Sequence, residues 1–232
     1  MRKYTHLFFD LDHTLWDFER NSEETLHELF NELEINKLGD FSFIDFMQNF
    51  RRINHHLWNL YDHRQIDRRF IRTQRFEMVR QAINAVPSPI FEQLNDVYME
   101  RCPQKPHLIP HAAELLAYLA DKNYQLHIIS NGFEAIQRTK MESSGILDYF
   151  SVIVTSETIE ARKPSKEIFD YALHQSNASV ENALMIGDNL ITDIGGSNNA
   201  GLDNIFYNPE QLHYEQVVTF EVEHLREIER IL

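Results

Sequence analysis

The sequence LFFDLDHT, residues 7–14, joins a short apolar run to a cluster of polar side chains. Four more apolar runs of similar length follow, and most of them end at a polar residue with a helix-like stretch behind it. The five runs are Thr5–Phe9, Gln125–Ile129, Ser151–Val154, Ala183–Ile186 and Asn204–Tyr207. Apolar strands that alternate with helices are typical of a parallel sheet covered on both faces. The sequence therefore predicts an α/β core.

The helices of this core are predicted from the segments between and after the later strands. Each segment has the length of one crossover helix, and the last one has its apolar residues on one side. They are Phe133–Ser143, Lys166–Gln175, Thr192–Ala200 and the C-terminal Val222–Leu232. We expect the C-terminal segment to be an amphipathic helix.

The first connection of the predicted sheet is too long for a simple crossover. More than a hundred residues separate Asp10 from Ser130, whereas a crossover needs roughly a dozen. The intervening sequence is helical in character, and proline clusters close it at 87–89 and 103–106. Its predicted helices are Ser22–Ile35 (with the serine as cap), Phe41–Leu60 and Ile66–Ala85. We predict a core formed by residues 1–16 and 106–232, with an α-helical cap inserted at residues 17–105.

Polar residues stand where the predicted strands end. The clusters are residues 10–14, then Ser130-Asn131-Gly132, then Lys163-Pro164 in the loop after the third strand, and finally Gly187-Asp188-Asn189 with Asp193 beyond it. Ligands of open parallel sheets bind outside the carboxyl ends of the strands. These four clusters are therefore predicted to form one site.

The carboxylates of this site indicate a cation, and its other groups indicate a phosphate. Several aspartates converging on one cleft would repel one another unless a cation lay among them. Oxygen ligands without histidine or cysteine spacing favour Mg²⁺. Ser130 and nearby backbone amides can hydrogen-bond phosphoryl oxygens, and Lys163 can neutralise charge on a phosphoryl group in transfer. The sequence predicts a magnesium site beside a phosphoryl site.

The ordered set DLDHT, SNG, RKP and GDN followed by Asp193 resembles the haloacid dehalogenase-type (HAD) hydrolase superfamily, and it extends over the whole chain. The resemblance implies a Rossmann-like core and a helical cap inserted after the first motif. It implies Mg²⁺ as cofactor and a small phosphorylated metabolite as substrate.

The resemblance also implies a role for each motif residue. Asp10 would be the nucleophile that forms an aspartyl-phosphate, and Asp12 the general acid that becomes the base for water. Ser130 and Lys163 would hold the phosphoryl group. The metal would lie on Asp10, Asp188 and the backbone carbonyl of Asp12, with Asp193 supporting it. Neighbouring carboxylates are expected to raise the pKa of Asp12 enough for acid catalysis.

Substrate contacts are expected from Asn131 and Gly132 of the second motif, from Thr14, which also orients the first loop, and from Trp16. An aromatic side chain near a phosphate site could stack on a base. The segment DLDHTLWDFERN also resembles the pyrimidine nucleotidase branch of the superfamily. The resemblance thus implies a 5′-nucleotidase that hydrolyses nucleoside 5′-monophosphates, with pyrimidines favoured.

Other functions stay open from the sequence. A sugar-phosphate or phosphoglycolate phosphatase, or a phosphoglucomutase-like phosphotransferase, would use the same aspartyl-phosphate. A dehalogenase is disfavoured because displacing halide needs neither Asp12 nor the metal carboxylates. A phospho-aspartate signalling module is a non-enzymatic alternative, but such receivers are compact and lack a large cap.

The composition limits the partners. Twenty-two basic and 36 acidic side chains give a net charge of -14, which disfavours nucleic acid polymers and anionic membranes. No apolar stretch approaches the roughly 18 residues of a membrane span, and we expect a cytoplasmic monomer or homodimer. Within residues 51–80, however, Arg64, Arg68, Arg72 and Arg75 have helical spacing. They could share a basic face that draws in an anionic substrate.

Overall fold

The structure is a computed structural model that describes residues 3–232. Six parallel strands form one sheet in the order β3-β2-β1-β4-β5-β6. The strands are β1 His6–Phe9, β2 Gln125–Ser130, β3 Phe150–Thr155, β4 Ala183–Gly187, β5 Asp203–Tyr207 and β6 Phe220–Val222. The five strands predicted from the sequence are confirmed, and β6 adds an edge strand. The fold class is a parallel α/β core with an inserted helical region, as predicted.

The register of the central strands brings their carboxyl ends to the same level. Phe9 of β1 pairs with Ile128 of β2 on one side and with Ile186 of β4 on the other. All three of these side chains are buried, which ties the register to the core. Asp10, Ser130 and Asp188 follow these paired residues by one or two positions. The register therefore brings their backbones to one edge of the sheet.

The chain divides into two compact units, which are Met1–Phe18 with Pro106–Leu232 and the inserted helical unit Glu19–Lys105. Four helices build the inserted helical unit. They are α1 Phe18–Glu32, α2 Phe43–Asp62, α3 Arg68–Ala82 and α4 Pro89–Arg101. The boundaries between core and cap that the sequence indicates, at residues 16/17 and 105/106, stay a prediction.

Two helix assignments made from the sequence differ in the inserted helical unit. The first helix begins at Phe18, so Ser22 lies inside it rather than at its cap, and the Ser22 hydroxyl lies 2.8 Å from that of Tyr98. The second proline of the 87–89 cluster opens α4 instead of closing the region. Proline is accepted at the first position of a helix because the missing N–H has no partner there.

The basic face predicted for the inserted helical unit is smaller than the sequence indicated. Arg75 is buried, with its guanidinium 4.8 Å from the Tyr98 ring and hydrogen-bonded to the side-chain oxygens of Asn54 and Asn95. Arg72 forms an ion pair with Asp96. Helical spacing places residues on a common face, but it does not tell whether that face meets solvent or the interior.

The remaining helices are α5 Ala112–Asp121, α6 Glu134–Ser143, α7 Lys166–Ser176 and α8 Gly196–Ala200. One face of the sheet packs against α7, where Phe169 contacts a buried cluster that includes Phe8 and Met185. The predicted helix 192–200 is in fact a π-helical turn, Leu190–Gly195, followed by the short α8. The side chain of Asn189 accepts hydrogen bonds from the first amides of that turn. None of the helices in residues 3–232 has the length and apolarity that crossing a bilayer requires.

The predicted amphipathic helix at Val222–Leu232 is wrong. Val222 belongs to β6, where it pairs with Tyr207, and a 3-10 helix follows at Leu225–Arg230. Leu225 and Ile228 are fully buried, so the apolar side was identified correctly. Residues 222, 225 and 228 are three apart, a spacing that suits three residues per turn as well as 3.6.

A buried histidine lies on β2 of the core. His127 is 2% exposed, and its ring nitrogens lie 3.1 Å from the His6 ring and 3.1 Å from the Ser151 hydroxyl. Burial, with a smaller contribution from His6, lowers the pKa of His127 to about 4. The imidazole is therefore neutral in the folded protein near neutral pH.

We expect His127 to make the protein less stable as the pH falls. The unfolded chain binds a proton at His127 near pH ~6.5 and the folded chain only near 4, so acid favours unfolding between these values. From about pH 7.5 to about pH 5, this residue should lower the free energy of unfolding by about 1–2 kcal/mol. Urea titrations of wild type and His127→Gln at these pH values measure the change in the free energy of unfolding. The variant should lose this part of the pH dependence, whereas the exposed control His56→Gln should keep it; equal slopes in all three proteins would contradict the assignment.

Candidate active site

Three carboxylates converge at the carboxyl edge of the sheet. Asp10 follows β1, Asp188 follows β4, and Asp193 lies in the π-helical turn. One oxygen from each lies within 4.8 Å of the others. A Cβ on Gly187 would overlap the Asp193 carboxylate, so glycine at that position is what allows β4 to pass so close to it. Asp193 is also fixed by the backbone N–H of Asn189, which donates to it at 3.0 Å.

Lys163 lies inside this carboxylate cluster and is 1% exposed. Its ammonium donates to Asp10 Oδ1 and to Asp193 Oδ1, both at 2.6 Å. Although burial opposes the charge, Asp10 and Asp193 together raise the pKa of Lys163 above its ordinary value. Asn131 holds the lysine backbone by two hydrogen bonds of 2.8 and 2.9 Å. Asn131 of the second motif and Lys163 of the third motif are thus in direct contact.

The carboxylate cluster has more negative than positive charge. Three ionised aspartates and one lysine would leave two uncompensated negative charges in a buried site. Burial, with the neighbouring carboxylates, raises the pKa of Asp10 well above its usual range and that of Asp188 to about 7. A divalent cation would offset these charges, and the donors are the hard oxygens that Mg²⁺ prefers. The carboxylates of Asp10, Asp188 and Asp193 therefore fit a magnesium ion.

Asp12 lies apart from this cluster and faces a different set of partners. Lys140 donates to both of its carboxylate oxygens at 2.6 and 2.9 Å, and Gln137 donates to one of them at 2.8 Å. Burial favours the neutral form of Asp12, but the charge and hydrogen bonds of Lys140 outweigh it and lower the pKa. The expectation that neighbouring carboxylates raise the pKa of Asp12 is wrong, because its nearest charge is a lysine.

Ser130 ends β2 and is 2% exposed. Its hydroxyl oxygen accepts from the Gly132 backbone N–H at 3.1 Å and from the Gln137 side chain at 2.6 Å. A Cβ on Gly132 would overlap the Gln137 amide. Gly132 therefore leaves the space that Gln137 needs to reach Ser130. The contact of Gly132 with substrate stays a prediction.

Thr14 and Trp16, two predicted substrate contacts, are both fully buried. The Thr14 hydroxyl donates to Asp188 Oδ1 at 2.9 Å, which orients a carboxylate of the cluster. The Trp16 ring lies 4.6 Å from the Lys140 ammonium. In this structure both side chains support other site residues, and their contact with substrate stays a prediction.

Sequence reasoning missed Gln137 and Lys140. Both lie in the predicted helix 133–143, where polar residues three apart are ordinary. One feature of the sequence could have indicated them. They lie one and two turns into the helix that follows Ser130, and their spacing places them on a common face. Their link to Asp12 depends on the sheet register, which brings the first and second strands together.

Residues 7–207 match the family described as haloacid dehalogenase-like hydrolase. The chain is 34% identical to pyrimidine 5′-nucleotidase YjjG of Escherichia coli K12, over 99% of this chain and 98% of that protein. It is 31% identical to pyrimidine 5′-nucleotidase PynA of Streptococcus pneumoniae R6, over 94% and 91%. The crystal structure of the HAD-hydrolase YfnB of Bacillus subtilis, bound to magnesium, superposes with a TM-score of 0.88 at 28% identity and 99% coverage of both chains.

Proposed function

The chain belongs to the haloacid dehalogenase-like hydrolases, and on this basis we propose that it is a magnesium-dependent phosphomonoesterase that prefers pyrimidine nucleoside 5′-monophosphates. The observation that carries the proposal is the buried cluster in which Lys163 bridges Asp10 and Asp193 beside Asp188. A nucleophilic carboxylate, a fixed cation and a place for a metal are what phosphoryl transfer requires.

In the first step, a carboxylate oxygen of Asp10 attacks phosphorus. The bond from phosphorus to the leaving oxygen breaks, and Asp12 gives that oxygen its proton. In the second step, water attacks the aspartyl-phosphate, Asp12 takes the proton of the water, and the bond between phosphorus and Asp10 breaks. Inorganic phosphate leaves, and both aspartates return to their starting states.

The other residues hold the phosphoryl group and the metal. The Lys163 ammonium and the Ser130 hydroxyl bind phosphoryl oxygens, and the Lys163 contact with Asp10 places the nucleophile beside that group. Mg²⁺ would be held by Asp10, Asp188 and the backbone carbonyl of Asp12, with Asp193 in support. When bound, it offsets negative charge on the nucleophile and the phosphoryl group. Thr14 keeps Asp188 oriented toward it.

The preference for pyrimidine nucleotides rests on the relatives. The two nucleotidases named above align with the chain almost from end to end, so the similarity includes the inserted helical unit as well as the core. The Lys163 ammonium and the Ser130 hydroxyl contact only the phosphoryl group that all monophosphates share, so these two residues do not select the nucleoside.

Phosphate release from a panel of monophosphates tests this function. We expect UMP, dUMP and dTMP to have kcat/KM values roughly tenfold or more above those of glucose 6-phosphate and phosphoglycolate. Excess EDTA should abolish release, and added Mg²⁺ should restore it, because the carboxylate cluster is left with uncompensated charge. A sugar phosphate that exceeds every nucleotide would refute the substrate preference alone. Full activity in EDTA would refute the magnesium assignment, and no release from any monophosphate would refute the phosphatase.

A further inference from the structure

Two side chains of α6 join Asp12 to the predicted phosphoryl site. Gln137 donates from one amide nitrogen to Asp12 Oδ2 at 2.8 Å and to the Ser130 hydroxyl at 2.6 Å. Lys140 donates to both oxygens of the same carboxylate. Because residues three apart lie on one face of a helix, a single turn of α6 contacts both motifs. The Asp12 carboxylate is therefore held at three points.

The surroundings of Lys140 leave its ammonium little freedom. Its side chain is 9% exposed, and the ammonium lies 4.6 Å from the Trp16 ring and 6.0 Å from that of Phe18. Aromatic faces attract a cation and restrict its position. Trp16 also forms a β-bridge with Asp12, so the loop that carries the carboxylate and the ring beside its lysine are fixed together.

The hydrogen bonds of Gln137 with Asp12 and Ser130 hold its side chain in place. It is fully buried, and its amide nitrogen lies between the Asp12 carboxylate and the Ser130 hydroxyl. A Cβ on Gly132 would overlap the Gln137 side chain, so glycine at position 132 leaves room for this arrangement. The arrangement serves the contacts that Gln137 makes with Asp12 and Ser130.

We propose that Lys140 and Gln137 are positioning residues, which hold the Asp12 carboxylate at a fixed place beside the Ser130 hydroxyl. This inference rests on the proposed function, since it assigns the acid–base role to Asp12 and the phosphoryl contact to Ser130. A carboxylate held in one orientation reaches the reacting oxygen more often than one that samples several rotamers. The two residues thus affect the chemical step through Asp12 and have no contact with the substrate of their own.

A double-mutant cycle with p-nitrophenyl phosphate and Mg²⁺ tests the proposal. Lys140→Met should lower kcat roughly 10–10²-fold with KM changed less than about twofold, because the loss falls on the chemical step. In an Asp12→Asn background the same change should alter kcat by less than about twofold. Lys140→Arg keeps a cation that can contact two carboxylate oxygens, so its kcat should be higher than that of Lys140→Met. Lys166→Met removes an exposed lysine on α7, paired with Asp170, and should match wild type.

Gln137→Leu separates positioning from structural support. It should lower kcat with KM changed less than about twofold, because it removes the hydrogen bonds to Asp12 and Ser130. In the Asp12→Asn background it should alter kcat by less than about twofold. A structural role would give a lower melting temperature with kcat unchanged. The proposal is overturned if Lys140→Met leaves kcat intact, or lowers it as much in the Asp12→Asn background. If wild type releases no phosphate in Mg²⁺, the proposed function fails first, so the two failures are distinct.

Discussion

Asp10→Asn is expected to abolish phosphate release, with kcat falling roughly 10⁴-fold or more, as is usual when a nucleophile is removed. The amide of asparagine is a poor nucleophile toward phosphorus, and it brings no negative charge to the metal site. The replacement has nearly the same shape, so Lys163 keeps its contact with Asp193. Steady-state phosphate release with UMP and Mg²⁺ measures the loss.

The stability of Asp10→Asn shows whether that loss is chemical. The raised pKa of Asp10 means that its ionised form is disfavoured in the folded protein without metal. Near neutral pH, the neutral asparagine should therefore leave the melting temperature of the metal-free protein equal or higher. Asp170→Asn, at an exposed ion pair on α7, is the matched control and should be fully active. Retained turnover in Asp10→Asn would remove Asp10 from the mechanism.

Asp12→Asn is expected to reduce kcat roughly 10²–10⁴-fold, the range typical of a lost general acid–base. The size of the loss should depend on the substrate. With p-nitrophenyl phosphate the leaving phenolate needs little help from an acid, so the first step should survive better than with UMP. The second step keeps its need for a base with either substrate. A rapid-quench comparison of the two substrates separates the steps.

The result that contradicts this role is equally specific. If Asp12→Asn slows both substrates equally and no phosphorylated protein accumulates, Asp12 is not the base of the second step. The contact with Lys140 supports the base assignment, because a carboxylate that lies against a lysine rests in the ionised form that accepts a proton. As acid in the first step, Asp12 has to take up a proton from solvent when the substrate binds, because the negative charge of the phosphate beside it favours the neutral carboxyl.

The core could be predicted from the sequence because its strands are nearly pure apolar runs. Runs of this length and apolarity favour a buried parallel strand, and most of them end at a polar residue. The carboxyl ends of β1, β2 and β4 then meet, so Asp10, Ser130 and Asp188 could be placed together before any coordinates. The length of the first connection indicated the inserted helices.

The sequence was less informative where two periodicities fit the same residues. Val222, Leu225 and Ile228 suit an α-helix as well as the β6 and 3-10 arrangement, and pairing of Val222 with Tyr207 at the sheet edge decides between them. Arg75 fits a charged helix face by spacing, but in the structure it is buried. Such outcomes depend on packing partners far away in the chain.

The site could be predicted only for residues that carry a motif. Lys140 and Gln137 have no unusual spacing or neighbours, and their importance follows from the contact with Asp12 alone. That contact also reverses the expected direction of the Asp12 pKa shift. A sequence pattern predicts the reacting groups, whereas the side chains that contact them come from other parts of the fold.

Covalent trapping of the aspartyl-phosphate tests the role of Asp10 as nucleophile. Asp12→Asn is mixed with p-nitrophenyl phosphate and Mg²⁺, quenched in acid within the first turnover, digested, and analysed by mass spectrometry. We expect one phosphoryl group on Asp10, absent when Asp10→Asn is added to the same protein or when EDTA replaces Mg²⁺. A phosphoryl group on any other residue would contradict this role. So would turnover by wild type with no trapped phosphoprotein in the variant.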